Sequence, residues 1–328
     1  MTMVDSGDSM AMKAVFIGGA PRSGTTFLGS LLGGHPTCIA TPESSFKVDA
    51  LISQTSLADM TIDSIAIHKL LRSHRFRTWE LRLNADVHGA LERANTVAEV
   101  MFLLARAYAG AMARETASVW VDHTPSNIRY VDRLGQHFPE AKFIHLVRDG
   151  RAVGASILPL NWGPNTIAAA AEDWMGHVAA GLAAEARLLE DKIVRVRYED
   201  LVRAPEAELR RLCEFLKLDF HESMTSGIGF QPESYSLPLH PHVGQPPRTD
   251  RITTWQSKLG SRDIEIFEAR TNDLLVLLGY PLVFGWRARG PTFFEISRMH
   301  LEEGYLRVRR KAALRRRIGR YAAKAGPL

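Results

Sequence analysis

The sequence predicts an α/β fold: one domain with a mainly parallel central sheet flanked by helices, followed by a basic helical C-terminal tail. Three observations predict it. Short apolar runs alternate with helical patterns along most of the chain. The first run leads directly into a glycine-rich loop and a helix. Hydrophobic residues make up 45% of the 328 residues, enough for a large core.

The strands are predicted from short apolar segments. Residues Lys13–Gly18 form a run bounded by glycine and are typical of a buried parallel strand. Residues 37–40, Val119–Asp122 and Lys142–Val147 are further candidates. The segment 192–198 alternates polar and apolar residues, so we expect it near an edge of the sheet.

Helical patterns fill the intervals between these strands. Thr96 and Glu99 have the spacing of a capping box, which predicts a helix from there to about residue 114. The other predicted helices are residues 24–32, 126–136, 166–190, Pro205–Leu216 and 262–278.

Composition suggests boundaries within the chain. We expect a flexible N-terminus at 1–12, a main domain at 13–285 and a basic extension at 286–328. Two segments of the main domain stand out. Residues 46–114 are predicted to be a helical insertion, and residues 227–251 hold five prolines and are predicted to form a lid-like loop.

The positive charge is concentrated at the end of the chain. Net charge is +5, but residues 307–324 contain nine basic residues and no acidic one, so the rest carries 5 − 9 = −4. The body is therefore not a general polyanion binder, and no base-stacking aromatic pattern indicates nucleic acid. Residues 306–324 fit an amphipathic helix that contacts an anionic membrane or an acidic acceptor; a solvated tail is the alternative.

Cysteine usage and the N-terminus predict a cytoplasmic location. Cys38 and Cys213 are the only cysteines, too few for a disulfide framework or a zinc site, and both are expected to be buried thiols. Residues 1–12 lack the features of a secretory signal. His240 and His242 lie in the proline-rich loop without a convincing third ligand, so no metal is predicted.

The glycine-rich loop reads Gly-Ala-Pro-Arg-Ser-Gly-Thr-Thr from Gly19 to Thr26. Two glycines have the spacing of a nucleotide-binding loop, and Thr26 fills its hydroxyl position. Thr25 replaces the usual lysine, and Arg22 is the only cation. Backbone N–H groups at a helix N-terminus would still hold one 5′-phosphate. The predicted donor-binding residues are Arg22, Ser23, Gly24, Thr25 and Thr26.

This stretch resembles the 5′-phosphosulfate loop of sulfotransferases that use 3′-phosphoadenylyl sulfate (PAPS). The resemblance implies a P-loop-NTPase-like fold, with PAPS as co-substrate and adenosine 3′,5′-bisphosphate as product. It also implies in-line transfer of the sulfuryl group to a hydroxyl acceptor, with no metal required. Arg22 then serves both in donor binding and in catalysis.

A second block supplies the anion site that a 3′-phosphate needs. Arg148 ends a predicted strand and Ser156 lies on the following helix; both match the family's 3′-phosphate site. A surface turn with two solvated arginines is the alternative. Leu160 stands where tyrosylprotein sulfotransferases have a further arginine. Tyr198 either lines the nucleotide site or packs under the sheet, and Arg251 follows the segment that folds over the nucleotide in relatives.

Two residues are candidates for the general base. Glu43 follows the strand at 37–40 and is expected, partly buried, at the same sheet edge as Arg22; its position resembles the catalytic glutamate of tyrosylprotein-type enzymes. His123 follows Val119–Asp122, where many relatives have a lysine. It is either a cationic substitute for that lysine or the base itself.

The acceptor and two rival functions stay open. A hydroxyl-bearing small molecule, a sugar or a tyrosyl group would fit, in a pocket built from residues 46–114 and the proline-rich loop. The insertion is rich in cationic residues, namely Arg72, His74, Arg75, Arg77 and Arg82. The rivals are a small-molecule kinase using Mg-ATP, with Asp122 holding magnesium, and a non-catalytic nucleotide-binding regulator. The absent loop lysine disfavours the kinase.

Overall fold

A computed structural model describes residues 12–52, 61–160, 162–230, 232 and 243–324. Five parallel strands form one sheet in the order β2-β3-β1-β4-β5. The strands are β1 Lys13–Gly18, β2 Cys38–Thr41, β3 Val119–Asp122, β4 Lys142–Val147 and β5 Ile193–Arg197. The predicted parallel sheet is therefore confirmed, as is the edge position of the segment with alternating polarity.

Helices cover both faces of the sheet, as predicted. They are α1 Thr25–Leu32, α2 Ser45–Ile52, α3 Ser64–Leu71, α4 His74–Arg77, α5 Ala85–Arg93, α6 Val97–Ala111, α7 Val131–His137, α8 Gly150–Ile157, α9 Ile167–Arg187, α10 Tyr198–Arg203, α11 Pro205–Leu216, α12 Trp255–Lys258, α13 Ser261–Leu277 and α14 Phe293–Lys324. Short 3₁₀ turns span Pro125–Arg129, Glu222–Ser226, Thr249–Arg251 and Gly285–Arg287.

Alternate residues of β1 face two separate cores. Phe16 packs with Trp120 and Phe143 on one side of the sheet. Val15 and Ile17 belong to the cluster on the other side. Because side chains alternate along a strand, a sheet covered on both faces needs apolar residues at every position, as the run in β1 provides.

Helix predictions hold where a local signal fixes the ends. The capping box is present: the Glu99 N–H donates to Thr96 Oγ1 at 3.2 Å, and the Thr96 N–H donates to Glu99 Oε2 at 3.1 Å. Helix α11 has its predicted bounds and ends at Lys217, whose φ is 58°.

The single helix predicted at 126–136 is wrong. A 3₁₀ turn over Pro125–Arg129 precedes α7 instead. The Asn127 side chain donates to the Ile17 carbonyl at 3.0 Å, which ties this turn to the end of β1. A Cβ at Gly18 would lie 2.4 Å from the Ile128 nitrogen, so the two segments meet in a contact that only glycine allows.

The C-terminal part of the chain is helical, as the sequence predicts. Helix α14, Phe293–Lys324, lies within the basic helical extension predicted at 286–328 and includes the amphipathic segment predicted at 306–324. The proposed domain boundaries stay predictions, and the N-terminus at 1–11 lies outside the described residues. Within the described part of the chain, none of the helices combines the length and apolar composition that crossing a bilayer requires.

Candidate functional site

A cavity of about 610 Å³ lies at the carboxyl edge of the sheet. Each of the five strands is followed by a residue that lines it: Arg22 after β1, Glu43 after β2, His123 after β3, Arg148 after β4 and Tyr198 after β5. Ligands of open parallel sheets bind at this edge. The structure therefore brings together residues that are far apart in sequence, as the strand assignments predicted.

The glycine-rich loop turns sharply at two residues with positive φ. Arg22 has φ 72° and Gly24 has φ 102°. A Cβ at Gly24 would lie 2.7 Å from Tyr198 Cδ2, so the loop can approach that ring only with glycine. Thr25 and Thr26 begin α1 and line the cavity, and no side chain caps the helix. An anion in the cavity would thus meet a helix N-terminus.

Ser23 differs from its neighbours in the loop. Its side chain is fully buried and does not line the cavity. Its backbone N–H donates to the Ala20 carbonyl at 3.0 Å, which stabilises the turn. Ser23 therefore shapes the loop, while Gly24, Thr25 and Thr26 face the cavity.

The residues predicted to hold the second phosphate surround Arg22. Arg22 Nε donates to Ser156 Oγ at 3.2 Å. Arg148 donates to the Arg22 carbonyl at 3.0 Å and to the Arg251 carbonyl at 3.1 Å. Its guanidinium lies 4.2 Å from the centre of the Tyr198 ring. Tyr198 thus both lines the cavity and packs against the phosphate-site arginine.

The two arginines of this wall, Arg22 and Arg148, interact electrostatically. Burial and the nearby charge of Arg148 lower the pKa of Arg22, while Glu43 opposes the shift. Two guanidiniums held together away from water repel each other, and a bound phosphate relieves that repulsion. Glu43 and Arg22 line the same cavity, as predicted.

The turn after β4 is held from inside the protein. Arg151 is buried and pairs with Asp149 at 2.7 Å and with Glu268, so the alternative of two solvated arginines is wrong. The Asp149 N–H donates to Glu199 at 3.0 Å. The Trp174 indole donates to the Arg148 carbonyl at 3.1 Å. These contacts fix the backbone from which Arg148 reaches the cavity.

Two cationic residues of the cavity lining, Arg248 within the proline-rich segment and Lys258 beyond it, were not predicted from the sequence. Arg248, Trp255 and Lys258 line the same cavity as Arg148. Arg248 and Lys258 supply cationic groups to a site in which Leu160 stands where tyrosylprotein sulfotransferases have an arginine. Within the predicted lid, residues 231 and 233–242 lie outside the described residues, including His240 and His242. The expectation that His240 and His242 bind no metal therefore stays a prediction.

Glu43 lies half-buried on the opposite wall, where the helical insertion meets the sheet. Its carbonyl accepts a hydrogen bond from the Trp79 indole at 3.3 Å. Arg75 and Thr78 of the insertion line the cavity beside it, and Arg75 pairs with Asp49 at 3.0 Å. The other cationic residues of the insertion, Arg72, His74, Arg77 and Arg82, are not among the lining residues.

His123 is buried at the end of β3. Burial lowers the pKa of its imidazole to about 4, although the charge of Asp122 acts in the opposite direction. Such a pKa favours the neutral ring at pH 7, and the cationic role predicted for His123 stays a prediction. It packs against Phe230, with ring centres 4.9 Å apart, and against Gly29. The role of base stays open for it.

A buried lysine behind this wall was also missed. Lys47 on α2 is fully buried, and its ammonium lies 2.9 Å from Asp122 Oδ2. It donates to Asn127 Oδ1 at 2.6 Å and to Ser44 Oγ at 3.0 Å. Burial lowers the pKa of Lys47, with Asp122 opposing. The sequence did contain one indication of this burial, because Lys47 lies between the apolar residues Phe46 and Val48 of α2.

Asp122 is occupied by this network and does not face the cavity. Burial acts to raise the pKa of its carboxyl, but Lys47 and hydrogen bonds from Ser44 and Thr124 bring that pKa to about 2. The magnesium role that the kinase alternative gave to Asp122 is therefore wrong. Among the described residues, no group of three or more His, Cys, Asp or Glu side chains could hold a metal ion.

Hydrogen bonds of Ser44 and Thr124 connect the segments that carry the two candidate bases, Glu43 and His123. The Ser44 N–H, next to Glu43, donates to Thr124 Oγ1 at 2.9 Å. The Thr124 N–H, next to His123, donates to Asp122 Oδ1 at 2.9 Å. The ends of β2 and β3 are thus locked to each other below the cavity.

Comparison with known proteins gives a consistent result. A family model described as "Sulfotransferase family" matches residues 14–222. A protein-tyrosine sulfotransferase of Drosophila melanogaster is 25% identical over 281 residues, which is 82% of this chain and 52% of the fly protein. The nodulation protein NoeE of Sinorhizobium fredii is 26% identical over 295 residues, 81% of this chain and 65% of that protein. The chain thus spans about half the length of the fly relative.

Two solved structures share the fold. The sulfotransferase domain of the Synechococcus PCC 7002 olefin synthase superposes with a TM-score of 0.59 at 22% identity, covering 86% of this chain and 100% of that domain. The corresponding domain from the curacin biosynthetic pathway gives 0.56 at 19% identity, covering 84% and 100%. These likenesses confirm the predicted fold class.

Proposed function

Since this chain belongs to the sulfotransferase family, we propose that it moves a sulfuryl group from PAPS to a hydroxyl acceptor. One observation carries the proposal: Arg22 and Arg148, from the ends of two different strands, meet with Ser156 beside the N-terminus of α1. Two anion sites in one cavity match a nucleotide that has phosphates at both its 5′ and 3′ positions. The kinase and the non-catalytic regulator are not supported by the family match.

In this proposal, each anion site binds a different phosphate of the donor PAPS. The backbone of Gly24, Thr25 and Thr26 would hold the 5′-phosphosulfate, with Arg22 beside it. Arg148 and Ser156 would hold the 3′-phosphate, with Tyr198 and Arg251 completing that wall. Two positions support this division: the loop leads into the N-terminus of α1, and Arg148 follows the neighbouring strand β4.

Transfer needs a base on the acceptor side and positive charge on the donor side. We assign the base to Glu43, which lies half-buried in the cavity close enough to Arg22 to influence its pKa. The acceptor hydroxyl gives its proton to this carboxylate as its oxygen bonds to sulfur. The bond from sulfur to the 5′-phosphate oxygen breaks, and Arg22 stabilises the charge that gathers there.

The acceptor in this proposal is a hydroxyl compound. Several relatives are named protein-tyrosine sulfotransferases, which supports a tyrosyl group; a sugar and another hydroxyl-bearing small molecule are the other acceptors in the proposal. Arg75, Thr78, Trp162 and His177 line the cavity around Glu43 and Ser126. Burial lowers the pKa of His177, so this wall also presents a neutral imidazole near pH 7.

A transfer assay tests this function. The protein is incubated with PAPS and panels of tyrosyl peptides, sugars and phenols, and mass spectrometry detects the sulfated product. We expect product without magnesium, and none with Mg-ATP as donor. Glu43→Gln should reduce the rate by about 10²–10⁴-fold, the usual contribution of a general base. An active Glu43→Gln variant would instead assign the base to His123.

A cytoplasmic location stays part of the proposal. It is supported by Cys38 and Cys213, which are both free and buried. Burial raises the pKa of the Cys38 thiol to about 12, so this cysteine is unreactive. Fractionation of cells that express the native chain would check the location.

A further inference from the structure

The first half of α14 is attached to the body by one face, here called the inner face, which consists of Glu295, Met299 and Glu303. Met299 is buried. Glu295 accepts hydrogen bonds from the Arg262 guanidinium at 2.9 and 2.8 Å. Glu303 accepts from the Asn165 backbone and side chain at 2.9 and 2.8 Å. These contacts fix the rotation of the helix about its own axis.

The opposite side, here called the outer face, is apolar and uncovered. Phe294 is 82% exposed, Leu301 77%, Tyr305 65% and Val308 73%. At 100° per residue these four lie within an arc of about 60°, on the far side of the helix from the inner face. Half of the exposed large apolar side chains among the described residues fall between Val283 and Val308. The outer face is thus a concentrated patch.

Strong positive charge adjoins this patch. Residues 307–324 of the same helix contain nine basic residues and no acidic one, whereas the rest of the chain has a net charge of −4. An apolar stripe rich in aromatic residues, continuous with a cationic segment, is typical of helices that lie in the interface of anionic membranes.

We propose that the outer face of α14 binds a phospholipid surface with anionic headgroups. The apolar side chains would enter the interface, and the basic residues that follow would contact the headgroups. A second copy of the chain fits less well, because pairing would bring two cationic segments together. Four side chains also offer far less than the roughly 1,200 Å² that a specific protein interface buries. The proposal does not depend on sulfuryl transfer.

Vesicle sedimentation with the full chain tests it. Wild type should pellet with vesicles of equal parts phosphatidylserine and phosphatidylcholine, should not pellet with phosphatidylcholine alone, and should be released as salt is raised. The triple variant Leu301→Ser, Tyr305→Ser, Val308→Ser should partition about tenfold more weakly, because it removes the apolar part of the contact.

A matched variant controls for the loss of exposed apolar surface in general. Ile65→Ser, Met112→Ser and Leu189→Ser together change three exposed apolar residues elsewhere and should bind like wild type. Equal binding to neutral and anionic vesicles, or an unaffected outer-face variant, would overturn the proposal. So would a concentration-dependent dimer that the outer-face variant abolishes, since a second copy would then cover the face.

Discussion

The two walls of the cavity differ in what holds them in place. On the donor wall, Arg22 and Arg148 contact each other through guanidinium and carbonyl groups and remain in the cavity lining. On the acceptor wall, Glu43 and His123 follow strands whose ends are joined by the buried Lys47–Asp122 pair. The charged groups that hold the donor wall line the cavity themselves. The acceptor wall is held by an ion pair, Lys47–Asp122, that is buried outside the cavity lining.

This difference has a chemical consequence. Donor-wall cations lie close together in a partly dry site, so they gain most when a phosphate binds. On the acceptor wall, an imidazole with a lowered pKa and the Glu43 carboxylate line the cavity, while the buried pair with Lys47 keeps Asp122 ionised outside the cavity lining. Mutations on the two walls should therefore affect different measurements.

The largest effect is expected for Lys47→Met. Removing the lysine leaves Asp122 as an uncompensated buried charge, which costs about 3–5 kcal/mol in the free energy of unfolding. Arg187→Met is the matched control, because it breaks an exposed pair with Asp132 and should cost less than about 1 kcal/mol. Denaturant unfolding of both variants measures the difference.

Two further results would sharpen this prediction. Adding Asp122→Leu to Lys47→Met removes the stranded charge and should restore part of the stability. If Lys47→Met lost no more stability than Arg187→Met, the acceptor wall would not depend on the pair, and the contrast between the walls would be lost.

A smaller effect is expected from the neutral imidazole of His123. Its pKa is about 4 in the folded protein and about 6.5 when unfolded, so the unfolded chain binds more protons between these values. Stability should therefore fall as the pH drops from about 6.5 to about 4. The free energy of unfolding of the His123→Asn variant, measured by denaturant unfolding, should fall less steeply between about pH 6.5 and about pH 4. An unchanged slope would show that the ring is not buried as a neutral group.

Sequence patterns predicted the sheet and the donor wall because their signals are local. Lys13–Gly18 is a strand that passes directly into its own phosphate loop, and Arg148 follows its strand without a gap. Parallel strands present their carboxyl ends at one edge, so naming the strands was enough to bring these residues together.

The acceptor wall was harder to predict because its contacts join distant segments. Lys47 meets Asp122 and Asn127, 75 and 80 residues further along the chain, and no local pattern reports such a pair. The 3₁₀ turn at Pro125–Arg129 was missed for the same reason, since Asn127 bonds to β1. The neutral state of His123 depends on burial, which only the packed structure reveals.

The most direct test of the central claim compares two nucleotides on two proteins by calorimetry without magnesium. Adenosine 3′,5′-bisphosphate should bind wild type about 10–100-fold more tightly than AMP, because the 3′-phosphate gains charge-assisted hydrogen bonds from Arg148. Arg148→Ala should remove most of this preference, while Arg203→Ala, at an exposed arginine, should keep it. Equal affinity of wild type for both nucleotides would contradict the two-anion site.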